Sequence, residues 1–217
     1  MFVTFTPMAA ANDPDAALML RAKQGDRAAF EELVVKHQQA VMNFIYRSVP
    51  DPQEAEDLAQ NVFVQAWKAR HRYQPSARFT TWLFTIARNL SLNELRRRSR
   101  HAGESMDGPA GEDDDAPVRQ FEDRSTASPP DTLLREELQR KVSEAVAALP
   151  ENQRTAILLC QDEETSYDDI AQVLGCSLSA TKSIIFRARE ALKLRLKPFL
   201  ATGAWEMDEP ATFRRSR

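Results

Sequence analysis

The residues best suited to chemistry in this chain lie in RFTTWLFTIARNLSLNELRRRSR, residues 78–100, and in the loop just before it. Set on a helix, Trp82, Thr85, Asn89 and Arg96 share one line with Asn93 beside it. Leu83, Ile86, Ala87 and Leu90 form an apolar stripe elsewhere on the same helix. An aromatic ring stacks on an unstacked base, an amide pairs with a base edge, and guanidinium groups such as Arg96 and Arg97 hold phosphate. Tyr73 and Phe79, from the preceding loop, could close a pocket around such a base. Trp82 fits either the edge of that pocket or the core.

A second cluster follows the turn LGCS at residues 174–177. On a helix from Leu178, the residues Leu178, Thr181, Ile185, Ala188 and Leu192 share the inner side. Ser179, Lys182, Ser183, Phe186 and Arg187 share the outer one, with Arg189 at its margin. Short hydroxyls allow close approach to a groove, and cations meet phosphates or guanine edges. A short helix, a glycine turn and a longer basic helix spell helix-turn-helix.

A third face, Glu54, Asp57, Gln60, Asn61 and Gln65, is polar and acidic. Such a face is by default solvated, with docking to a basic partner as the alternative. Catalytic signatures are lacking: there is no glycine-rich phosphate loop, G-x-S-x-G, H-E-x-x-H or Cys/His nucleophile pattern. Cys160 and Cys176, the two cysteines, form no CxxC and read as small buried thiols. Neither a metal nor a cofactor is expected, and Asp113-Asp114-Asp115 reads as solvated chain.

The elements that must position these groups are helical. Six glycines and long apolar periodicities argue against a β-rich fold, so the fold class expected is all-α. Asp51-Pro52-Gln53-Glu54 opens a helix with an acid cap, proline at the first position and glutamate three residues on. Its apolar stripe is Ala55, Leu58, Val62 and Ala66. A break is expected near Gly25-Asp26, and Thr80 or Thr81 is expected to cap the helix carrying Asn89. Helices are expected over 133–149 and 152–161. Ser166 and Asp169 form a capping box, Gly175 suits a left-handed stop, and Ser177 caps the next helix.

Residues 101–130, rich in Gly, Pro, Ser and Asp, read as a flexible acidic linker. Helical blocks at 15–100 and 131–200 flank it, with residues 1–14 and 201–217 as frayed ends. The net charge of −3 hides an asymmetry: His101–Asp131 carries nine acids against two arginines, leaving the rest positive. Nucleic acid therefore remains open as a partner. No apolar run approaches the ~20 residues that cross a bilayer, and the N-terminus lacks a secretion pattern, so a soluble cytoplasmic protein is expected.

Three blocks together resemble a family: DPQEAEDLAQNVFVQAWKAR, RFTTWLFTIARNLSLNELRRR and LPENQRTAILL followed by SYDDIAQVLGCSLSATKSIIFRAREALK. In order and spacing they resemble bacterial RNA polymerase sigma factors of the extracytoplasmic-function (ECF) group. The resemblance implies a non-enzymatic, promoter-specific transcription initiation subunit built from regions 2 and 4, with core polymerase, promoter DNA and an anti-sigma factor as partners. By position, Asp57, Leu58, Gln60, Asn61 and Phe63 match the surface that docks on the polymerase β′ clamp helices, and region 4 is expected on the β flap. Tyr73, Phe79 and Asn89 match the minus-ten base pocket, with Trp82, Thr85, Arg96 and Arg97 around it. Ser179, Lys182, Ser183, Phe186 and Arg187 lie on the helix that reads the minus-thirty-five element. Asn61 stands where the family usually has glutamate, and Ser179-Ala180-Thr181-Lys182-Ser183-Ile184 departs from the common Gly-Thr-Val-Lys-Ser-Arg. The acidic linker is expected to compete with DNA for basic surfaces or to follow a basic polymerase channel. The rival expectations are a helix-turn-helix regulator that binds duplex operators alone and a helical nuclease, for which ordered acid clusters are lacking.

Overall fold

The computed structural model describes residues 13–49, 51–104, 129–162 and 165–197. Eight α-helices and a 3-10 turn make up its regular structure, and no strand occurs among the described residues. They are α1 (Pro14–Lys23), α2 (Arg27–Ser48), α3 (Pro52–Ala69), the turn Arg70–Arg72, α4 (Phe79–Glu104), α5 (Pro129–Ala147), α6 (Glu151–Leu159), α7 (Tyr167–Leu174) and α8 (Leu178–Leu196).

Local chemistry sets most of these boundaries. Gly25, at φ 103°, ends α1, and the Asp26 carboxylate caps α2 through the Ala29 N–H. Asp51 accepts from the N–H groups of Gln53 and Glu54 and caps α3, which holds its carboxyl below the usual range. Ser166 and Asp169 close a reciprocal capping box on α7. That helix stops at Gly175, at φ 68°, with Cys176 N–H on Ala171 O and Gly175 N–H on Gln172 O. These two bonds are the Schellman pattern, which a left-handed glycine completes without Cβ strain. Ser177 caps α8 through Ala180 N–H.

The cap of α4 differs from expectation. Thr80 and Thr81 lie inside the helix, and the acceptor for its first N–H, that of Phe79, is the Asp13 carboxylate. At the two ends of the stretch read as linker, α4 runs to Glu104 and α5 begins at Pro129. The central part of the linker with Asp113–Asp115, residues 1–12 and the tail from 198 onward lie outside the described residues.

Helices α1–α4 form a bundle around Met19, Leu33, Val41, Ile45, Val62 and Leu83, each fully buried. Burying a side chain of this size contributes roughly 1.5–3 kcal/mol. Helices α5–α8 enclose Ile170, Thr181, Ile185 and Ala188. The two blocks also pack on each other, α7 against α4 and α6 against α2, so their apolar residues form one continuous cluster. Sequence periodicity predicts each block; their docking appears only in three dimensions.

Candidate nucleic-acid and polymerase interface

Helix α4 carries three different faces. Leu83 and Ala87 are fully buried, and Ile86 and Leu90 pack beside them. A second face, with Thr81 and Arg88, meets α6 and α7. The third bears Trp82 and Thr85, half-buried, and Asn89, Asn93 and Arg96, exposed. The expected line of aromatic, hydroxyl, amide and guanidinium groups therefore does lie along one open face. Thr85 donates its hydroxyl to Thr81 O, which leaves its oxygen free to accept.

Tyr73 and Phe79 do not line that face. They are 1% and 0% exposed, beneath Trp82, with the Tyr73 and Trp82 centroids 5.1 Å apart and Phe79 and Trp82 6.0 Å apart. In this structure both rings form a layer under Trp82, each packed against neighbouring rings rather than open to solvent. The Tyr73 hydroxyl is buried without a hydrogen-bond partner among the described residues, and its phenol is pushed up by burial and by the charges of Asp13 and Asp15. Trp82, undecided from sequence, is the half-buried outermost ring of this stack.

The arginines also separate. Arg96 is exposed with no side-chain partner among the described residues. Arg97 is tied to Glu54 at 2.7 Å and Glu94 at 2.8 Å. Arg98 bridges Glu54, Asp51 and Glu94. Glu94 is held down to about 2, chiefly by the hydrogen bonds from Arg97. Glu54 thus points to the end of α4 rather than joining the open face of α3, and Arg97 is an ion-pair member first. The helix register that brings α3 to α4 decides this, and composition carries no sign of it.

On α3, Asp57 and Gln60 are exposed, while Asn61 is half-buried and accepts from Gln65 Nε2 at 3.2 Å. Leu58 and Phe63 are half-buried against the core. The face is polar at its tip and apolar at its margin. On α8, Ser179, Lys182, Ser183, Phe186 and Arg187 are all exposed, and Phe186 reaches 66%. Thr181, Ile185, Ala188 and Leu192 are buried beneath them, whereas Leu178 remains at 36% exposure. Cys160 and Cys176 are half-buried free thiols; burial pushes that of Cys160 up, and Sγ of Cys176 lies 3.2 Å from Thr181 Oγ1.

The contacts between the two blocks join residues far apart in the chain. Thr81 donates to Asp169 Oδ1 at 2.8 Å, with both residues buried. Arg88 reaches Glu151 at 2.9 Å and Asn152 at 2.8 Å, and Arg154 donates to Ser48 O at 2.9 Å. Arg47 donates to Gln161. The one sign in the sequence was Arg88, a cation interrupting a helix whose basic groups otherwise gather at its end.

Comparison with known proteins resolves the family. The Sigma-70 region 2 profile matches residues 33–101, and the Sigma-70 region 4 profile matches residues 139–192. The RNA polymerase sigma-H factor of Pseudomonas aeruginosa is 37% identical over 188 residues, covering 87% of this chain and 96% of that one. The ECF RNA polymerase sigma-E factor of Escherichia coli K12 is 32% identical over 190 residues, covering 86% and 96%. The chain belongs to the ECF sigma factors. Solved structures agree. CnrH, in complex with the cytosolic domain of CnrY, has a TM-score of 0.61 at 25% identity, with 86% of this chain and 99% of that chain covered. The sigma factor RpoE of Bartonella quintana, in complex with the anti-sigma factor NepR, has a TM-score of 0.61 at 26% identity, with 77% and 96% covered. In this sigma factor, then, α2–α4 are region 2 and α5–α8 are region 4. It is a transcription specificity subunit rather than a catalyst. No helix among the described residues is long and apolar enough to cross a membrane.

Proposed function

We propose that this sigma factor docks on core RNA polymerase through α3, opens the minus-ten element with α4 and reads the minus-thirty-five element with α8. The observation that carries this is the unbroken open line of Trp82, Thr85, Asn89, Asn93 and Arg96 on α4. The protein's contribution is binding energy. Unpairing costs a few kcal/mol, least where the base is already unstacked, and capture of one base offsets part of it. Stacking on Trp82 supplies roughly 1–3 kcal/mol. Asn89 reads the base edge, and Arg96 adds a salt-sensitive, sequence-independent grip. Asp57, Gln60 and Asn61 meet the β′ clamp helices, with Leu58 and Phe63 as the apolar margin, and region 4 meets the β flap.

Reading both elements at once requires the two blocks to part. The elements lie about 25 base pairs apart, or ~85 Å at ~3.4 Å per pair. With α7 in contact with α4, the faces of α4 and α8 are separated by only two or three packed helices of about 10 Å each. The chain between residues 104 and 129 has a contour of about 85 Å at ~3.4 Å per residue, so it permits the separation. The docked arrangement is therefore the form that does not read a promoter, and an anti-sigma factor, the kind of partner RpoE has in its complex, is the candidate to hold it. The site of action is the cytoplasm, where polymerase works.

Asn89→Ala tests the pocket. Promoter preference at one minus-ten position should be lost while polymerase binding persists; unchanged preference would remove Asn89 from the pocket.

A further inference from the structure

Helix α1 lies ahead of the stretch matched to region 2 and carries none of the residues assigned above to DNA or polymerase. It nevertheless holds the platform beneath Trp82 at three points. Asp13 caps α1 through Oδ1, which accepts from Asp15 N–H at 3.0 Å. Its Oδ2 accepts from Phe79 N–H at 2.7 Å, 66 residues away. At the far end of α1, Lys23 Nζ donates to Tyr73 O at 2.8 Å. Between them, buried Asp15 takes both Lys36 Nζ and His37 Nε2, and the His37 ring lies 5.4 Å from that of Phe79.

The contact of Asp13 with Phe79 matters because of where α4 begins. Four N–H groups at a helix start have no partner within the helix, and Arg78, next to that start, has no side-chain oxygen with which to cap it. The first bond of the ladder, Trp82 N–H to Arg78 O, is long at 3.3 Å. Trp82 sits in this first turn and Asn89 two turns later, so any fraying moves one against the other. A carboxylate shared by the starts of α1 and α4 also faces the positive ends of both helix dipoles.

We propose that Asp13 is a positioning residue for base reading: by capping α4 from the start of α1, it fixes Trp82 in register with Asn89. This rests on the assignment of α4 to the minus-ten element. Without the cap, the first turn of α4 loosens, and stacking and edge recognition cease to act on the same base. Lys23 has the same role at lower leverage, since it anchors the loop rather than the helix start.

The experiment uses the full chain bound to core polymerase and single-stranded minus-ten oligonucleotides carrying each of the four bases at each position. Asp13→Ala should reduce the discrimination between the preferred base and the others about fivefold, the scale of one lost cap. Affinity for core and for duplex minus-thirty-five DNA should stay unchanged. Asp13→Asn, whose single amide oxygen can accept from only one of the two N–H groups, should fall between wild type and Asp13→Ala, and thermal melts of both variants show that the chain is folded. Asp13→Ala discriminating like wild type, or losing core and oligonucleotide binding in equal proportion, overturns the proposal. Wild-type protein without base discrimination would instead overturn the minus-ten assignment of α4, and this inference with it.

Discussion

Replacing Thr81 by valine should open the protein. The Thr81 hydroxyl donates to Asp169 Oδ1 at 2.8 Å, and the two residues are 5% and 7% exposed. Valine keeps the shape and removes the donor. The capping box remains, because Ser166 N–H and its hydroxyl both bind Oδ2. In the docked form Oδ1 is then buried without a partner, whereas in the parted form water reaches it. A hydrogen bond to a carboxylate contributes about 1.5–3 kcal/mol, so the equilibrium should move toward the parted form by about ten- to hundredfold. The assay is Förster transfer between dyes at Gln39, exposed on α2, and Leu194, 72% exposed on α8. The low-transfer population should rise in Thr81→Val, while Thr81→Ser, which keeps the hydroxyl, should match wild type. Equal transfer in Thr81→Val and wild type would refute the idea that this bond latches regions 2 and 4.

Three further outcomes follow from the same geometry. Arg96→Ala should lower the salt slope of DNA binding by about one, whereas Arg97→Ala should lower it less, because Arg97 already pairs with Glu54 and Glu94. Phe186→Ala should weaken binding to minus-thirty-five duplex while shifting stability by less than about 0.5 kcal/mol, since the ring is 66% exposed. Glu94 falls from an ordinary 4.5 to about 2 in the folded chain, so its stabilisation is complete above pH 4.5 and is lost as pH falls toward 2. Thermal unfolding of wild type and Glu94→Gln should accordingly differ by a constant amount above about pH 5 and converge in acid.

The sequence was legible where structure depends on neighbours a few residues apart. Asp51, Ser166 with Asp169, Gly175 and Ser177 all act within four residues, and each is found in its expected place. The outer face of α8 follows equally from helical spacing. What eluded the sequence depends on partners far along the chain. An aromatic side chain satisfies the same burial term against a base or against another ring, so Tyr73 and Phe79 gave no sign of lying under Trp82. Arg96 and Arg97 are adjacent and chemically identical, and only the approach of α3 separates them, leaving one open and pairing the other with Glu54. Asp13 and Phe79, or Thr81 and Asp169, are brought together by folding alone, and no local pattern marks them.

Transcription tests the account most directly. Purified protein added to core RNA polymerase and a panel of promoters should yield transcripts from a defined subset, with protein and core recovered as one complex. Binding to duplex DNA without association with core, and no specific transcript, would contradict it.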